Sequence, residues 1–250
     1  MVAVKVLEYE NTLLMKKKFV AFGDSWPWGM DLNPGEKSYG ELIAEHKGME
    51  FQNYSEPATA GEHMILQLQH MINTSSFVDT EYTALFSFTR LARFMYFSDN
   101  PTWDKRFRTN SGQLSWDGTA PNDDKATALY YKYIHSTKLD NFKFYTTAMA
   151  LQKLCQEYNI KDYYALSFSS VDWLSHTAIE VRSPLAAPPG NNFIGLDRHK
   201  FWDQGNTNFL TLFGCEFIDQ NNKYFGHSGG HPNQLGHELI AQHLRDWIGQ

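Results

Sequence analysis

The feature that most constrains the fold is the alternation of short apolar runs with amphipathic stretches along the chain. Four runs rich in apolar and β-forming residues predict strands, at 19–22, 51–54, 83–88 and 163–168. Apolar residues at helical spacing predict helices, at 39–46, 64–72, 138–159 and 233–248. Strands that alternate with helices form a parallel sheet with helices on both faces. The sequence therefore predicts an α/β fold.

The 250 residues suit one domain with insertions. Residues 1–16 are expected to form an N-terminal arm or an extra strand, and residues 17–250 the main domain. Two stretches of that domain, at about 91–137 and 169–214, lack a clean period and are too long for ordinary connections. Long connections of this kind form pocket walls, interfaces or packing around a sheet edge, and the sequence leaves these three alternatives open.

Charge and hydropathy exclude several classes of protein. The 22 basic and 28 acidic residues give a net charge of −6, and no basic block occurs, which argues against a nucleic-acid partner. No apolar run reaches the roughly 18 residues of a membrane span. The first residues lack a long apolar stretch, which predicts no signal peptide and a cytoplasmic or virion-associated protein. Cys155 and Cys215 are interpreted as small buried residues rather than a disulfide framework.

The first chemical motif is Gly23-Asp24-Ser25-Trp26, directly after the first predicted strand. A side chain at the carboxyl end of a parallel strand projects into the crevice where α/β proteins bind ligands. A serine at this point can attack a substrate, and its own backbone N–H can face the developing oxyanion. The alternative for this tripeptide alone is a tight turn held by an aspartate contact.

The second motif, Gly230-His231-Pro232, opens the last predicted helix. A serine hydroxyl is a weak nucleophile until a base removes its proton, and histidine is the usual base. The positive end of the helix dipole favours the neutral imidazole that a base needs. The alternative for His231 is a helix-capping role, and His237 is interpreted as a surface or packing residue.

Together these two segments resemble the first and last blocks of the SGNH (GDSL-like) hydrolase family. The resemblance implies a flavodoxin-like three-layer α/β/α sandwich, in which the serine attacks an ester and an Asp-x-x-His motif supplies acid and base. The resemblance spans about residues 17–248, and the unusual middle of the chain is reminiscent of divergent phage-encoded members.

The family aspartate would fall three residues before His231, where this chain has Ser228. Ser228 or Asp219 is therefore the predicted orienter of the base, and a Ser25–His231 dyad is ranked first. We expect the far nitrogen of His231 to meet a backbone carbonyl, a hydroxyl or water rather than a carboxylate.

The family's oxyanion donors are also altered. The second block places Ala58 or Gly61 near the glycine slot, and we predict the Gly61 N–H as a donor beside that of Ser25. The third block, Gly-x-Asn-Asp in the family, ends here in Thr89-Arg90. The Thr89 hydroxyl and the Arg90 guanidinium are the predicted replacements.

A rival use of this segment is zinc binding by His227, His231 and His237. His231 and His237 are six residues apart, which departs from the four-residue helical spacing of paired zinc ligands. The sequence therefore predicts no metal and no cofactor.

The preferred function is hydrolysis of an ester, with an acyl or acetyl group on a carbohydrate as the expected substrate. The carbohydrate expectation rests on aromatic residues interpreted as exposed, namely Trp26, Trp28, Trp103 and Trp116. We expect at least one of the two long insertions to wall the Ser25 pocket. The alternative is a catalytically weak or inactive binding or structural protein, such as a virion or surface component, that forms homo-oligomers or joins an assembly.

Overall fold

The structure is a computed structural model that describes residues 15–57, 59–89, 133, 136–167, 196–205, 207–215, 218, 221–226 and 230–249. Its strands are β1 (Lys16–Gly23), β2 (Glu50–Asn53), β3 (Thr80–Phe88) and β4 (Lys161–Leu166). They form one sheet in the order β2-β1-β3-β4, and every described pairing is parallel. Strand β1 is central, and it pairs with β3 along its whole length, from Lys16 opposite Thr80 to Gly23 opposite Ser87.

The helices are α1 (Ser25–Trp28), α2 (Tyr39–His46), α3 (His63–Thr74), α4 (Thr137–Glu157), α5 (Phe209–Leu212) and α6 (Gln234–Trp247). Several begin at a side chain that accepts a backbone N–H of the first turn, as Ser38 does for α2, Ser136 for α4 and Asn233 for α6. Such caps satisfy backbone donors that have no partner within the helix. Two 3-10 helices, Arg198–Lys200 and Trp202–Gly205, precede α5.

One face of the sheet is covered by α3 and α4. A row of stacked rings crosses the strands on this face. The ring centroid of Phe22 in β1 lies 4.7 Å from that of Phe86 in β3, and the Phe86 centroid lies 5.2 Å from that of Tyr164 in β4. Phe201 extends the row, with its ring centroid 4.8 Å from that of Tyr164. Helices α3 and α4 close over these rings with buried apolar residues, namely Met64, Leu68, Met71, Ala148 and Leu151.

The other face is covered by α2, α5 and α6. Phe19, Leu85 and Ala165 point to this side from β1, β3 and β4. The residues of β1 between Phe19 and Phe22 are fully buried, as expected for a strand with helices on both sides. The predicted three-layer α/β/α sandwich with a central parallel sheet is therefore confirmed.

The predicted domain boundaries are only partly covered by the described residues. Strand β1 begins at Lys16, while residues 1–14 and most of both insertions lie outside the described ranges. The second insertion contains the two 3-10 helices and α5. Cys155 and Cys215 are both free, and burial raises the pKa of Cys155. Of the helices described, none is long and apolar enough to cross a membrane.

His237 is a buried polar residue at the contact between α6 and α2. Its side chain is fully buried, and its Nδ1 accepts a hydrogen bond of 3.1 Å from the backbone N–H of Tyr39. Burial, together with the nearby His231, lowers the pKa of His237 from 6.5 to about 3. Protonation would place a proton on the nitrogen that accepts from Tyr39, so the folded protein holds this ring neutral.

We predict that His237 makes the folded protein acid-sensitive. Between pH 6.5 and about 3 the unfolded chain binds a proton at His237 that the folded protein does not bind. The free energy of unfolding should therefore fall as the pH falls through this window, by about 2 kcal/mol from this group between pH 7 and pH 5. In His237→Gln, whose amide oxygen can still accept from Tyr39, that part of the pH dependence should disappear in urea unfolding curves.

The matched control is His243→Gln, at an exposed position of the same helix, which should keep the native pH dependence. Equal pH dependence in His237→Gln and the native protein would show that burial does not hold His237 neutral.

Candidate active site

The turn after β1 is built around Gly23. Its φ of +144° favours glycine, and a Cβ there would lie 2.7 Å from the backbone oxygen of Ser87. The side-chain amide of Gln67 pairs with the Gly23 backbone on both sides, accepting from its N–H at 3.0 Å and donating to its oxygen at 3.0 Å. The same oxygen accepts from the Glu56 N–H at 3.0 Å, while the Thr59 hydroxyl lies 3.2 Å from it and donates to the Glu56 oxygen at 2.9 Å. Three hydrogen bonds, two from Gln67 and one from Glu56, therefore hold the end of β1 in place.

Asp24 carries the chain from this turn into α1. Its side chain is fully buried, and Oδ1 accepts a hydrogen bond from the Trp26 N–H at 3.1 Å. Its Oδ2 accepts the Thr89 hydroxyl at 2.6 Å, which links the end of β1 to the end of β3. This cap fixes the start of α1, so that Ser25 stands at the carboxyl edge of the sheet between β1 and β3. Strand β2 lies on one side of β1 and strand β3 on the other, so the strand order switches at this point. Parallel α/β sheets bind their ligands at the carboxyl edge beside such a switch.

The loop that carries His231 is held on both sides of the residue. The Gly226 N–H donates to the His231 backbone oxygen at 2.9 Å, and Phe225 forms a bridge with Pro232. The indole N–H of Trp26 donates to the Gly230 oxygen at 3.1 Å. The residue that follows Ser25 thus bonds to the residue that precedes His231.

Ser25 and His231 are in hydrogen-bond contact, with 3.0 Å between Oγ and Nε2, although 206 positions separate them. Ser25 is 5% exposed, and the His231 side chain is 20% exposed. An imidazole that accepts the serine proton at Nε2 must carry its own proton on Nδ1. The structure therefore brings together the two residues that the sequence analysis selected as nucleophile and base.

A carboxylate faces the other nitrogen of the ring. The Oδ2 of Asp31 lies 3.4 Å from His231 Nδ1, within ion-pair distance and slightly beyond an ordinary hydrogen bond. The carboxylate stands at ion-pair distance, outside the roughly 3.2 Å of a hydrogen bond, so the expectation that this nitrogen meets a carbonyl, a hydroxyl or water stays a prediction. The predicted orienters Ser228 and Asp219 lie outside the described residues. Asp31 had no motif or spacing to mark it, because it stands in an irregular loop after α1.

The predicted oxyanion donors have different outcomes. Thr89 has one hydroxyl proton and donates it to Asp24, so the prediction that this hydroxyl faces the oxyanion is wrong. Gly61 lies against Phe88 at the end of β3, where a Cβ would come within 3.2 Å of the ring. The donor roles of the Ser25 and Gly61 N–H groups stay predictions. Arg90 and the alternative residue Ala58 lie outside the described ranges.

The tryptophans interpreted as exposed differ in their surroundings. Trp26 is fully buried, with its ring 6.2 Å from Phe209 and 5.9 Å from Phe213, which corrects the expectation for this residue. Trp28 is 50% exposed and lines a groove of about 410 Å³ at the far end of α1. Trp103 and Trp116 lie outside the described residues.

The zinc alternative loses one of its three histidines. The Nδ1 of His237 is occupied by the Tyr39 N–H inside the core, which removes that lone pair from metal binding. No group of three potential metal ligands occurs among the residues that the structure describes. His227 is not among them.

No protein-family model matches the chain, and no curated protein matches it. Similar solved structures include a lipolytic protein of the G-D-S-L family from Veillonella parvula, with a TM-score of 0.47 and 14% identity over 94% of this chain and 99% of that chain. They also include the psychrotrophic esterase EstA from a Pseudoalteromonas species, with a TM-score of 0.42 and 14% identity over 92% and 96%.

A carbohydrate esterase has a TM-score of 0.39 and 14% identity, over 94% of this chain and 69% of its own. Similar structures thus include members of the family that the two motifs resemble. Identities and TM-scores this low transfer no residue roles to this chain, and the roles proposed below rest on the geometry around Ser25.

Proposed function

We propose that this protein hydrolyses an ester, with Ser25 as nucleophile and His231 as general base. The observation that carries the proposal is the 3.0 Å contact between Ser25 Oγ and His231 Nε2 at the carboxyl edge of the sheet. An isolated serine hydroxyl is a poor nucleophile, whereas one that donates to a neutral imidazole is activated for attack. The elements on either side hold both residues independently of any ligand, so the pair is organised before substrate binds.

The reaction follows from this contact. Ser25 Oγ attacks the ester carbonyl carbon while its proton passes to His231 Nε2, which gives a tetrahedral oxyanion. The oxyanion collapses, the alcohol leaves with the proton from His231, and the acyl group remains on Ser25. A water then gives a proton to His231 and attacks the acyl carbon, and the acid is released as the proton returns to Ser25. The backbone N–H groups of Ser25 and Gly61 are the proposed oxyanion donors.

The groove beside Trp28 supports an acylated carbohydrate as the substrate. An exposed indole offers an apolar face on which a sugar ring can stack, and amides and carboxylates around it can bind hydroxyl groups. Polar side chains of this kind line the groove, namely Asn33, Glu36, Glu41 and Asn53. Neither Ser25 nor His231 lines the groove, which begins at Trp28, the last residue of the helix that Ser25 starts. A sugar bound in the groove would therefore have to extend its acyl group along α1 to reach the nucleophile.

The second candidate is a binding or structural protein that has kept the fold without efficient catalysis. It is favoured by the Thr89 hydroxyl, which is bonded to Asp24 and has no proton left for an oxyanion. The two functions differ in one measurement, which is hydrolysis that depends on Ser25.

We predict that the protein hydrolyses p-nitrophenyl acetate and that Ser25→Ala lowers kcat/KM by about a thousandfold or more, because the nucleophile is lost. The matched control is Ser76→Ala, an exposed serine before β3 at the opposite edge of the sheet, which should keep native activity. A fluorophosphonate probe should modify Ser25 in the native protein, as read by peptide mass. Hydrolysis that persists in Ser25→Ala, or its absence from the native protein, would favour the binding function.

We also predict that Trp28→Ala raises KM for an acetylated oligosaccharide about tenfold, since one stacking contact of about 1.4 kcal/mol is lost. The kcat/KM for methyl acetate, which is too small to reach the groove, should stay near the native value. Tyr158→Ala is the control, because this 40% exposed tyrosine follows α4 at the opposite edge of the sheet. Equal changes for both substrates in Trp28→Ala would indicate a structural effect and would remove the groove from the substrate site.

A further inference from the structure

Asp31 lies beside the Ser25–His231 pair, on the far side of the histidine ring. The His231 ring stands between two side chains, with Ser25 Oγ 3.0 Å from Nε2 and Asp31 Oδ2 3.4 Å from Nδ1. An acceptor at Nδ1 holds the proton on that nitrogen and leaves Nε2 free to take the serine proton. A negative charge at this place also stabilises the imidazolium that forms when His231 accepts that proton.

The backbone conformation of the loop after α1 holds Asp31 in its position beside His231. Its φ of +75° lies in the left-handed region, which costs energy for most residues and is tolerated best by Gly, Asn and Asp. The loop before it is folded tightly, with the Met30 N–H donating to the Ser25 oxygen at 3.1 Å and the Leu32 N–H to the Gly29 oxygen at 3.2 Å. The same short segment thus fixes both the nucleophile and the carboxylate.

The segment opposite makes room for the carboxylate. A Cβ on Gly226 would lie 3.1 Å from the Asp31 Cβ and 3.3 Å from Oδ2, so a larger residue would crowd the aspartate. Gly226 also donates its N–H to the His231 backbone oxygen at 2.9 Å. Gly226 therefore bonds the backbone of His231 and leaves space for the carboxylate that faces the ring.

We propose that Asp31 is the positioning residue of His231, and that it supplies from the loop after the nucleophile the carboxylate that the chain lacks at position 228. The proposal rests on the proposed hydrolytic function for its catalytic consequence, but the contact between Asp31 and His231 can be measured without it. The nucleophile, the carboxylate and the base would then follow each other in the chain as Ser25, Asp31 and His231.

The test is Asp31→Asn, which removes the charge and keeps the shape. Asparagine tolerates a positive φ, so the loop conformation is not strained by the change. The kcat/KM for p-nitrophenyl acetate should fall by about a hundredfold or more.

A second readout is the tautomer of His231, read by NMR from the ¹⁵N chemical shifts of its two ring nitrogens. In Asp31→Asn the share of neutral rings that carry the proton on Nδ1 should fall, because the carboxylate that faces this nitrogen is lost. The matched control is Asp203→Asn, which makes the same change at another aspartate with a positive φ of 47° and should leave both readouts native. If Asp31→Asn does not fold, Asp31→Gly is measured with the same expectations, since glycine adopts this φ without cost.

The two readouts separate the outcomes. A fall in both the activity and the share of His231 rings protonated at Nδ1 supports the role of Asp31. A native tautomer in the variant overturns it, whether the activity is native or reduced, because a carboxylate that orients the imidazole must affect which nitrogen carries the proton. If the native protein hydrolyses no ester, the proposed function fails, and the NMR measurement still decides whether Asp31 acts on His231.

Discussion

The site depends on one hydrogen bond across the fold, from the Trp26 indole to the Gly230 oxygen. It joins the turn after the first strand to the loop before the last helix, which are 204 positions apart in sequence. The Trp26 ring is fully buried against Phe209 and Phe213, so the direction of its N–H is fixed by packing. Ser25 and His231 are the next residues on either side, which explains how two distant segments hold a 3.0 Å contact.

Beneath this contact the polar groups are satisfied by one another. Gln67 bonds both the N–H and the oxygen of the Gly23 backbone, and Asp24 accepts from the Trp26 N–H and the Thr89 hydroxyl. A buried carboxylate with partners at both oxygens is a rigid support, because breaking either bond would leave an unpaired group away from water. Thr89 is therefore a structural link between β1 and β3, although it occupies the place of an oxyanion donor in the family that the motifs resemble.

Most of the fold was predictable because its elements have strong local signals. The continuous apolar run at the centre of β1 and the helical spacing in α4 and α6 indicate the correct element types, and the observed bounds differ from the predicted ones by a few residues. No local sequence pattern indicated the order of the strands or the burial of the His237 ring. Both follow from which surfaces pack together, and a histidine reads the same in sequence whether its ring faces water or the Tyr39 backbone.

For the site, the sequence alone determined Ser25 and His231 as the candidates, because a strand end and a helix start limit where such residues can stand. Only the tertiary structure decided which side chains surround them. The Thr89 hydroxyl donates to Asp24, Trp26 is buried, and Asp31 faces His231. The physical reason is that motifs report local backbone geometry, whereas the partner of a side chain depends on distant segments. Asp31 faces His231 because of its left-handed backbone and the space at Gly226, and these come together only when the chain has folded.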